Sequence, residues 1–233
     1  MKKLVALTGA GISAESGIPT FRDAGGLWEG YDVNDVATPE AWERNPERVL
    51  DFYNQRRKKA LEVEPNEGHR ILADFEVFYD VTVITQNVDN LHERAGSSNV
   101  VHLHGSLFES RSSIDASLVY PINGWELKMG QLCEKGSQLR PNIVWFGEIV
   151  TMIERAMEIS FEADIFLVVG TSLLVYPAAS LVHYVRSGTP IYIVDPKSPN
   201  ITLNPHITVI NELGSVGLKK VREILTASQG ISK

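Results

Sequence analysis

The feature that most constrains the fold is a set of short, almost continuously apolar runs separated by helical patterns. Such runs are typical of strands buried on both faces, as in a parallel sheet. Their alternation with helices is typical of doubly wound proteins. The sequence therefore predicts an α/β fold built on a Rossmann-like parallel sheet. The runs span 3–8, 79–85, 99–104, 164–170, 190–195 and 206–210, and the predicted helices span 38–63 (two helices divided at Pro46), 65–78, 177–188 and 216–228.

Two segments interrupt this alternation. Residues 25–78 place several helices between the first and second strands of the predicted sheet. Residues 106–141 are rich in Ser and Gly with scattered apolar positions, and we interpret them as a small, reduced insert with weak structure of its own. The chain is therefore predicted to form a single domain over residues 1–233 that carries a helical insert and a smaller one.

Composition excludes several classes of partner. A net charge of −7 disfavours non-specific nucleic-acid binding, which needs a basic face. No apolar run is long enough to span a bilayer, and the N-terminal run leads into a glycine loop, as a first strand would. The single cysteine, Cys133, cannot form an internal disulfide or a four-cysteine zinc site. We expect a cytoplasmic protein with no nucleic-acid or membrane partner.

The stretch "TGAGISAESGIPTFRD" (residues 8–23) places a glycine loop directly after the first strand. Glycines let a backbone turn tightly and approach a phosphate closely. In the pattern G-x-G-x-x-G/A, Gly9 and Gly11 are followed by Ala14. The acidic residue that usually binds a ribose after the second strand is missing, because Gln86 and Asn87 stand there. A standard dehydrogenase is therefore disfavoured.

Five motifs, in order, resemble the sirtuins, the family of NAD-dependent protein lysine deacylases. The resemblance covers most of the chain and implies a sirtuin catalytic domain that uses NAD as cofactor and acylated protein lysines as substrates. The implied products are free lysine, nicotinamide and an acylated ADP-ribose. The motifs are "GAGISAESGIPTFRD" (9–23), "TQNVDNLHERAG" (85–96), "HLHGS" (102–106), "PNIVWFGE" (141–148) and "GTSLLVYPAA" (170–179).

The same resemblance implies roles for individual residues. His104 would be the catalytic base, a role that suits an imidazole because its pKa lies near working pH, and Asn87 would act beside it. His102 and His92 are predicted to be structural. The implied cofactor-binding residues are Gly9, Ala10, Gly11, Ser13, Glu15, Phe21, Arg22, Trp28, Gln86, Asn87, Asp89, Gly170, Thr171, Ser172 and Asp195. Val144, Trp145 and Phe146 resemble the strand that pairs with the substrate peptide and walls the acyl-lysine tunnel.

A Tyr-x-x-Arg pair in "FYNQRR" resembles sirtuins that prefer acidic acyl groups. Three residues apart on a helix, Tyr53 and Arg56 share a face, and a guanidinium fork can bind a carboxylate through two hydrogen bonds. Ala24 also resembles this subgroup, where a small side chain leaves room for a longer acyl chain. We therefore expect succinyl-lysine and malonyl-lysine to be preferred over acetyl-lysine. The rest of the basic run is predicted to be solvated surface: Arg57, Lys58 and Lys59.

The second insert departs from the family pattern. Most sirtuins carry two Cys-x-x-Cys pairs there that bind zinc, whereas this chain has Ser112 near the first expected cysteine and retains only Cys133. We expect no structural zinc, and we expect a monomer. The insert is either mobile or held by a small apolar core in place of the metal, formed by Leu118, Tyr120, Trp125 and Leu127.

Two alternative functions fit the glycine loop. An NAD glycohydrolase or ADP-ribosyltransferase would release nicotinamide without an acyl-lysine, but it would not need the "VWFGE" segment or the Tyr53/Arg56 pair. An ADP-ribose-binding module that has lost catalysis would not need His104 or Asn87. The retained residues therefore favour the deacylase.

Overall fold

The computed structural model describes residues 1–20, 31–197, 202 and 205–228. Short 3₁₀ segments at Phe75–Val77 and Ala178–His183 supplement the helices. In chain order the other elements are β1 (Lys3–Thr8), α1 (Ala10–Ala14), α2 (Val33–Val36), α3 (Pro39–Arg44), α4 (Pro46–Glu62), α5 (Glu67–Asp74), β2 (Asp80–Thr85), α6 (Leu91–Ala95), β3 (Val100–His102), β4 (Gly105–Ser112), β5 (Val119–Pro121), β6 (Leu139–Ile143), α7 (Ile153–Glu162), β7 (Ile165–Val169), β8 (Ile191–Val194), β9 (Ile207–Ile210) and α8 (Gly214–Ser228).

In the described part of the chain, six strands form one parallel sheet in the order β3-β2-β1-β7-β8-β9. All six apolar runs in the sequence are strands of this sheet, which confirms the predicted fold class. The chain builds the sheet outward from β1 in one direction and then from β7 in the other. The carboxyl ends of β1 and β7 therefore lie at a topological switch point, where ligands bind in open α/β sheets.

Successive side chains of β1 supply two different cores, as expected for a strand covered on both faces. Leu4 and Ala6 are buried in the core that packs against α5 and α8. Val5 and Leu7 are buried in the core that packs against α7 and the Ala178–His183 segment. The continuous apolar character of this strand therefore reflects burial on both sides.

The helices between β1 and β2 begin at clear capping residues. The Asn45 side chain accepts a hydrogen bond from the Arg48 backbone N–H at 3.0 Å, and Pro46 occupies the first turn of α4. Thr38 caps α3 in the same way through the Ala41 N–H, at 3.1 Å. The predicted division of residues 38–63 at Pro46 is therefore confirmed, because Asn45 ends one helix and caps the next.

The segment at 106–141 has more structure than the sequence suggests. Within the described ranges, β5, β4 and β6 pair in an antiparallel sheet. The predicted apolar core is wrong: Leu127 is buried, but Leu118 and Tyr120 are half-buried and the Trp125 side chain is exposed. The apolar side chains that β4 and β6 bury, Leu107 and Ile143, belong to the core shared with α4 and not to a separate core of the insert. Polar contacts hold the sheet together instead, including a Ser112–Ser137 hydroxyl pair at 2.8 Å.

One predicted helix is shorter than expected. Residues 178–183 form a 3₁₀ segment, with the Ser180 N–H donating three residues back to the Pro177 carbonyl at 3.0 Å. Across the described ranges, no helix is long and apolar enough to cross a membrane. The assignment of residues 1–233 to one domain with two inserts stays a prediction.

Candidate active site

The loops that follow β1 and β7 touch each other through their backbones. The Gly9 N–H donates to the Val169 carbonyl at 3.0 Å, and the Gly11 N–H donates to the Gly170 carbonyl at 2.8 Å. A Cβ atom on Gly11 would lie 2.7 Å from the Cα of Gly170, which itself has a φ of +62°. The contact between the two loops therefore by itself requires glycine here.

Asn87, directly after β2 and Gln86, joins the β1 loop to the β2 loop. Its side-chain amide donates to the Gly9 carbonyl and to Ser13 Oγ, both at 3.1 Å. Ser13 Oγ in turn donates to Asp89 Oδ2 at 3.0 Å. Burial raises the pKa of the Asp89 carboxyl group, although hydrogen bonds from Leu91 N–H and Ser13 partly offset this effect. Four of the predicted site residues, Gly9, Ser13, Asn87 and Asp89, are thus brought into one buried network.

His104 follows β3 in a tight turn and faces the same loop. Its Nδ1 lies 3.0 Å from the Gln86 carbonyl oxygen, and because a carbonyl can only accept, the ring proton is assigned to Nδ1. The lone pair of the neutral ring is therefore on Nε2. Burial lowers the pKa of His104, although the hydrogen bond to Gln86 partly opposes this effect. The ring is neutral at pH 7 and can accept a proton.

His102 has the opposite electrostatic setting. Its Nε2 lies 2.7 Å from Glu93 Oε1 and its Nδ1 lies 3.0 Å from the Asn87 carbonyl oxygen. Burial lowers the pKa of His102, but the hydrogen bond and charge of Glu93 outweigh it, so that the net shift is upward. Both ring nitrogens face acceptors, which fits the structural role predicted for this residue.

The remaining described cofactor candidates are spread around the carboxyl edge of the sheet. Gln86 donates its side-chain amide to Thr171 Oγ1 at 3.1 Å, which joins the β2 loop to the β7 loop. Asp195 follows β8, where its carboxylate accepts the Lys197 N–H at 2.9 Å. Glu15 is engaged elsewhere, because both carboxylate oxygens accept hydrogen bonds from Ser215 at the start of α8. Ala10 and Ser172 are partly exposed at this edge.

Four predicted residues lie outside the described residues. They are Phe21, Arg22 and Trp28 on the cofactor side and Ala24 on the acyl side. Their roles stay predictions from the sequence.

Tyr53 and Arg56 lie together on α4, and both are buried. Burial raises the pKa of the Tyr53 phenol, and the charge of Arg56 partly offsets this rise. The same charge acts on Asp89, so Arg56 lies within electrostatic reach of the Asn87 network. The Tyr53 and Trp145 rings are 6.5 Å apart. Among the described residues, the polar contact of the Tyr53 hydroxyl is with Trp145, which acts to lower the Tyr53 pKa, and neither group has a well-aligned hydrogen bond.

The segment at 144–146 follows β6 as a turn, because the strand ends at Ile143. The Val144 N–H donates to the His104 carbonyl at 2.9 Å, and the Trp145 N–H donates to Glu148 Oε2 at 2.8 Å. Glu148 also binds Arg140 through both carboxylate oxygens, at 2.8 and 3.0 Å. The Arg140 guanidinium stacks 3.3 Å from the centre of the Trp145 ring. The turn is therefore fixed directly beside the candidate base.

Arg57 overturns one sequence prediction, since it is fully buried and not solvated. Its guanidinium donates to the Leu107 carbonyl, to Asn54 Oδ1 at 2.8 Å and to the Trp125 carbonyl at 2.7 Å. Two of these acceptors, the carbonyls of Leu107 and Trp125, are distant in sequence, so a run of four basic residues gave no sign of them. Lys58 and Lys59 are exposed, as predicted.

Two buried histidines, His69 and His92, pack against each other behind the site, and the sequence did not predict that they are in contact. His92 Nε2 lies 3.0 Å from Thr8 Oγ1, which lies 2.9 Å from Thr85 Oγ1. Thr85 Oγ1 accepts the Asn87 N–H at 3.0 Å. The His69 ring packs 4.9 Å from the His92 ring. His92 therefore has the hydrogen-bonding role predicted for it, and it supports the Asn87 loop from the interior.

No group of three or more His, Cys, Asp or Glu side chains among the described residues is arranged to hold a metal ion. Cys133 Sγ instead lies 3.4 Å from Ser112 Oγ and 3.3 Å from Ser137 Oγ. The two serine hydroxyls stabilise the thiolate form and lower the Cys133 pKa to about 6.

The arrangement suits a dinucleotide that carries ribose hydroxyls. The loops after β1, β2 and β7 meet at the switch point, and their amide, hydroxyl and carboxylate groups can bind sugar hydroxyls. A neutral imidazole that can accept a proton stands at the edge of the same group. The residues present therefore fit NAD.

Comparison with known proteins places the chain in a family. Residues 9–177 match the model of the Sir2 family. The chain is 54% identical over 230 residues to a protein of Bacteroides thetaiotaomicron named NAD-dependent protein deacylase, covering 97% of this chain and 98% of that one. It is 54% identical over 214 residues to a protein of the same name from Helicobacter pylori, covering 91% and 92%.

A solved structure agrees with this match. The crystal structure of a Sir2 homologue in complex with NAD superimposes with a TM-score of 0.86 at 41% identity, covering 97% of this chain and 90% of that one. The family match spans well over half of the chain, and the two relatives align with 91% or more of it. The chain therefore belongs to the Sir2 family.

Proposed function

We propose that the protein is an NAD-dependent protein-lysine deacylase that prefers succinyl-lysine and malonyl-lysine over acetyl-lysine. The observation that carries the proposal is the placement of His104, whose Nδ1 is bound to the loop that also holds Asn87. A deacylase needs a neutral base at this position, and a simple binding module does not. The names of the family relatives support the same class of reaction.

When bound, NAD supplies a ribose carbon that becomes reactive as nicotinamide leaves, so that the acyl-lysine oxygen can attack it. His104 then accepts a proton at Nε2 from a ribose hydroxyl, because Nδ1 is already occupied by the Gln86 carbonyl. Burial keeps this imidazole neutral until a proton is offered.

Asn87 and Asp89 orient the reacting sugar. The Asn87 amide is fixed by two acceptors, Gly9 O and Ser13 Oγ, and it therefore cannot rotate freely. The Asp89 carboxylate is held by Ser13 and by the Leu91 N–H at 3.1 Å. Preorganised polar groups of this kind cost no reorganisation during the reaction.

The acyl preference is supported by two buried donors on one helix face. Arg56 is a permanent cation, and only 7% of the residue is exposed. The Tyr53 hydroxyl interacts with Trp145, whose indole N–H can only donate, so the phenol proton is available to an acceptor on the acyl group. A carboxylate at the end of an acyl chain would meet both donors, whereas an acetyl methyl group would meet neither. An uncharged acyl chain therefore gains less from this pair.

The deciding experiment compares acetyl, succinyl and malonyl peptides of one sequence, with nicotinamide release and lysine deacylation measured together. We expect His104→Ala to abolish deacylation, and Arg56→Met to remove activity on the acidic acyl groups selectively. Lys59→Met is the matched control, because it removes an exposed charge from the same helix.

Three outcomes would contradict the proposal. NAD consumption that is equal with and without peptide would indicate a glycohydrolase. Binding of ADP-ribose with no turnover would indicate a binding module. If Arg56→Met lost activity on the acetyl, succinyl and malonyl peptides by the same factor, Arg56 would not select acidic acyl groups. The proposed acid preference would then be contradicted, although the proposed deacylase activity would stand. The cytoplasmic location and the monomeric state stay predictions from the sequence.

A further inference from the structure

Arg57 is a buried cation that the reaction does not use. The three hydrogen-bond acceptors found for its guanidinium in the described residues are two backbone carbonyls and the Asn54 amide oxygen, and none of them is a carboxylate. A buried charge without a counter-ion is costly, so a hydrophobic side chain would be cheaper if packing were the only requirement. The position therefore calls for an explanation beyond stability.

The acceptors of Arg57 join three parts of the molecule. Leu107, in β4, accepts from Arg57 at its carbonyl and donates its own N–H to the Val88 carbonyl at 2.8 Å. Val88 stands between Asn87 and Asp89. Two successive hydrogen bonds thus connect α4 to the loop that holds the reacting sugar.

Asn54 completes the attachment on the other side of the guanidinium. Its side chain donates to the Leu127 carbonyl at 3.0 Å and accepts the Leu127 N–H at 2.9 Å. The same amide oxygen accepts from Arg57, which also binds the neighbouring Trp125 carbonyl. The second insert is thereby fastened to α4 through both of these side chains.

The two residues are interleaved with the acyl-recognition pair. Tyr53 and Arg56 are three residues apart, and so are Asn54 and Arg57, one position further along α4. One position on a helix is a rotation of about 100° and a rise of about 1.5 Å. A little more than one turn of α4 therefore presents one pair to the acyl group and the adjacent pair to the insert and to Leu107.

We propose that Arg57 and Asn54 are positioning residues that fix the separation between the Tyr53/Arg56 pair and the Asn87 loop, and that they thereby set the length of acidic acyl chain the enzyme accepts. The inference rests on the proposed acid preference. Each added carbon–carbon bond is roughly 1.5 Å long, so length selection requires α4 to be held within that tolerance.

The test measures kcat/KM on malonyl, succinyl, glutaryl and acetyl peptides for the wild type, Arg57→Met, Arg57→Lys and Asn54→Asp, together with each Tm. Arg57→Met removes every donor, and Arg57→Lys keeps the charge without the fork. Asn54→Asp loses the donor to the Leu127 carbonyl and adds a negative charge beside Arg57. Lys59→Met is the control on the same helix.

We expect Arg57→Met to lower activity on the preferred chain length by about tenfold while its neighbours in length change much less, since a displacement of about 1 Å can cost that much. Arg57→Lys and Asn54→Asp should lower the ratio of activity on the preferred chain length to activity on its neighbours in length, but by a smaller factor. Lys59→Met should leave this ratio unchanged. Should Arg57→Met fail to fold, the two milder variants decide the outcome.

Two results would overturn the proposal. If the wild type has the same kcat/KM on the malonyl, succinyl, glutaryl and acetyl peptides, both the acid preference and the role of Arg57 are overturned. A wild type that does select by length, with variants that lose activity on all four peptides by one common factor, overturns only the role of Arg57. In that case the residue merely supports the fold.

Discussion

The Nδ1 atom of His104 lies 3.0 Å from the carbonyl oxygen of Gln86, the residue before Asn87. The candidate base and the amide that we propose orients the sugar are therefore both attached to one loop. The next residue after His102, Leu103, donates its N–H to Thr85 at 2.9 Å, so the turn that carries the base is also tied to β2.

Deacylation should fall in acid with an apparent pKa below the ordinary histidine value of 6.5. Burial lowers the pKa of His104, and the base works only when it is neutral, so activity is retained until the pH passes below that lowered value. The measurement is kcat/KM against pH on a succinylated peptide. His104→Asn should reduce turnover by ~10²–10⁴-fold. An acid limb centred at or above 6.5 would contradict the assignment.

Acid should also destabilise the fold through His69. Burial lowers its pKa from 6.5 to about 4, so between these values the unfolded chain binds a proton that the folded chain does not. Stability therefore falls as the pH drops below 6.5, and the loss is complete near pH 4. For this residue alone the loss between pH 7 and 5 is about 2 kcal/mol.

Urea unfolding of His69→Gln and of wild type at pH 7 and pH 5 isolates that contribution. The variant should be less stable at pH 7 because the buried packing changes, yet its stability should vary less between the two pH values. If the variant lost as much unfolding free energy between pH 7 and pH 5 as the wild type, groups other than His69 would cause the acid destabilisation.

Tyr53→Phe should separate recognition from stability. The hydroxyl is buried and has no well-aligned hydrogen bond among the described residues beyond its weak interaction with Trp145, so its removal should change the free energy of unfolding by less than about 1 kcal/mol. Activity on the succinyl peptide should fall by about tenfold, the loss expected for one hydrogen bond to a charged group. Activity on the acetyl peptide should be unchanged. Equal losses on both peptides would exclude a specific contact with the acyl carboxylate.

Glu148→Gln should destabilise the turn beside His104. Arg140 keeps only 8% of its side chain exposed, and its partner carboxylate binds it through both oxygens. Removing the negative charge leaves a buried cation, which costs about 3 kcal/mol. Glu158→Gln breaks an exposed pair with Arg155 and should cost less than about 1 kcal/mol. Thermal unfolding measures the loss of stability in each variant. Similar losses of stability in Glu148→Gln and Glu158→Gln would contradict the special role of Glu148.

A chelator should leave the Tm unchanged, and added zinc should not raise it. The insert is held by Asn54 and Arg57 and by the contacts among Ser112, Cys133 and Ser137. Cys133→Ser serves as the comparison, because it removes the last thiol while retaining a hydrogen-bonding group. A Tm that drops on chelation in the wild type but not in Cys133→Ser would reveal a metal at this position.

The sheet could be predicted from the sequence because burial on both faces leaves a continuous apolar signature. The carboxyl ends of those strands then place Gln86, Asn87 and Thr171 near one another without further information. Local periodicity also suffices for Tyr53 and Arg56, which are neighbours on a single helix.

What could not be predicted depends on contacts between distant segments. Arg57 finds its acceptors on Leu107 and Trp125, and nothing in a basic run distinguishes such a residue from its solvated neighbours. Trp125 was expected to contribute its ring to an apolar core, yet its contribution is a backbone carbonyl. Side-chain chemistry alone does not reveal where backbone oxygens will be needed.

The contact between Gly11 and Gly170 has a consequence for how the protein acquires its activity. The two glycines follow β1 and β7, strands that are distant in sequence, so the cleft for the cofactor is complete only after β7 has paired with β1. Non-local pairings of this kind form slowly because a long stretch of chain must be closed first. During synthesis or refolding, affinity for the cofactor therefore arises late, after the helices between β1 and β2 can already have formed.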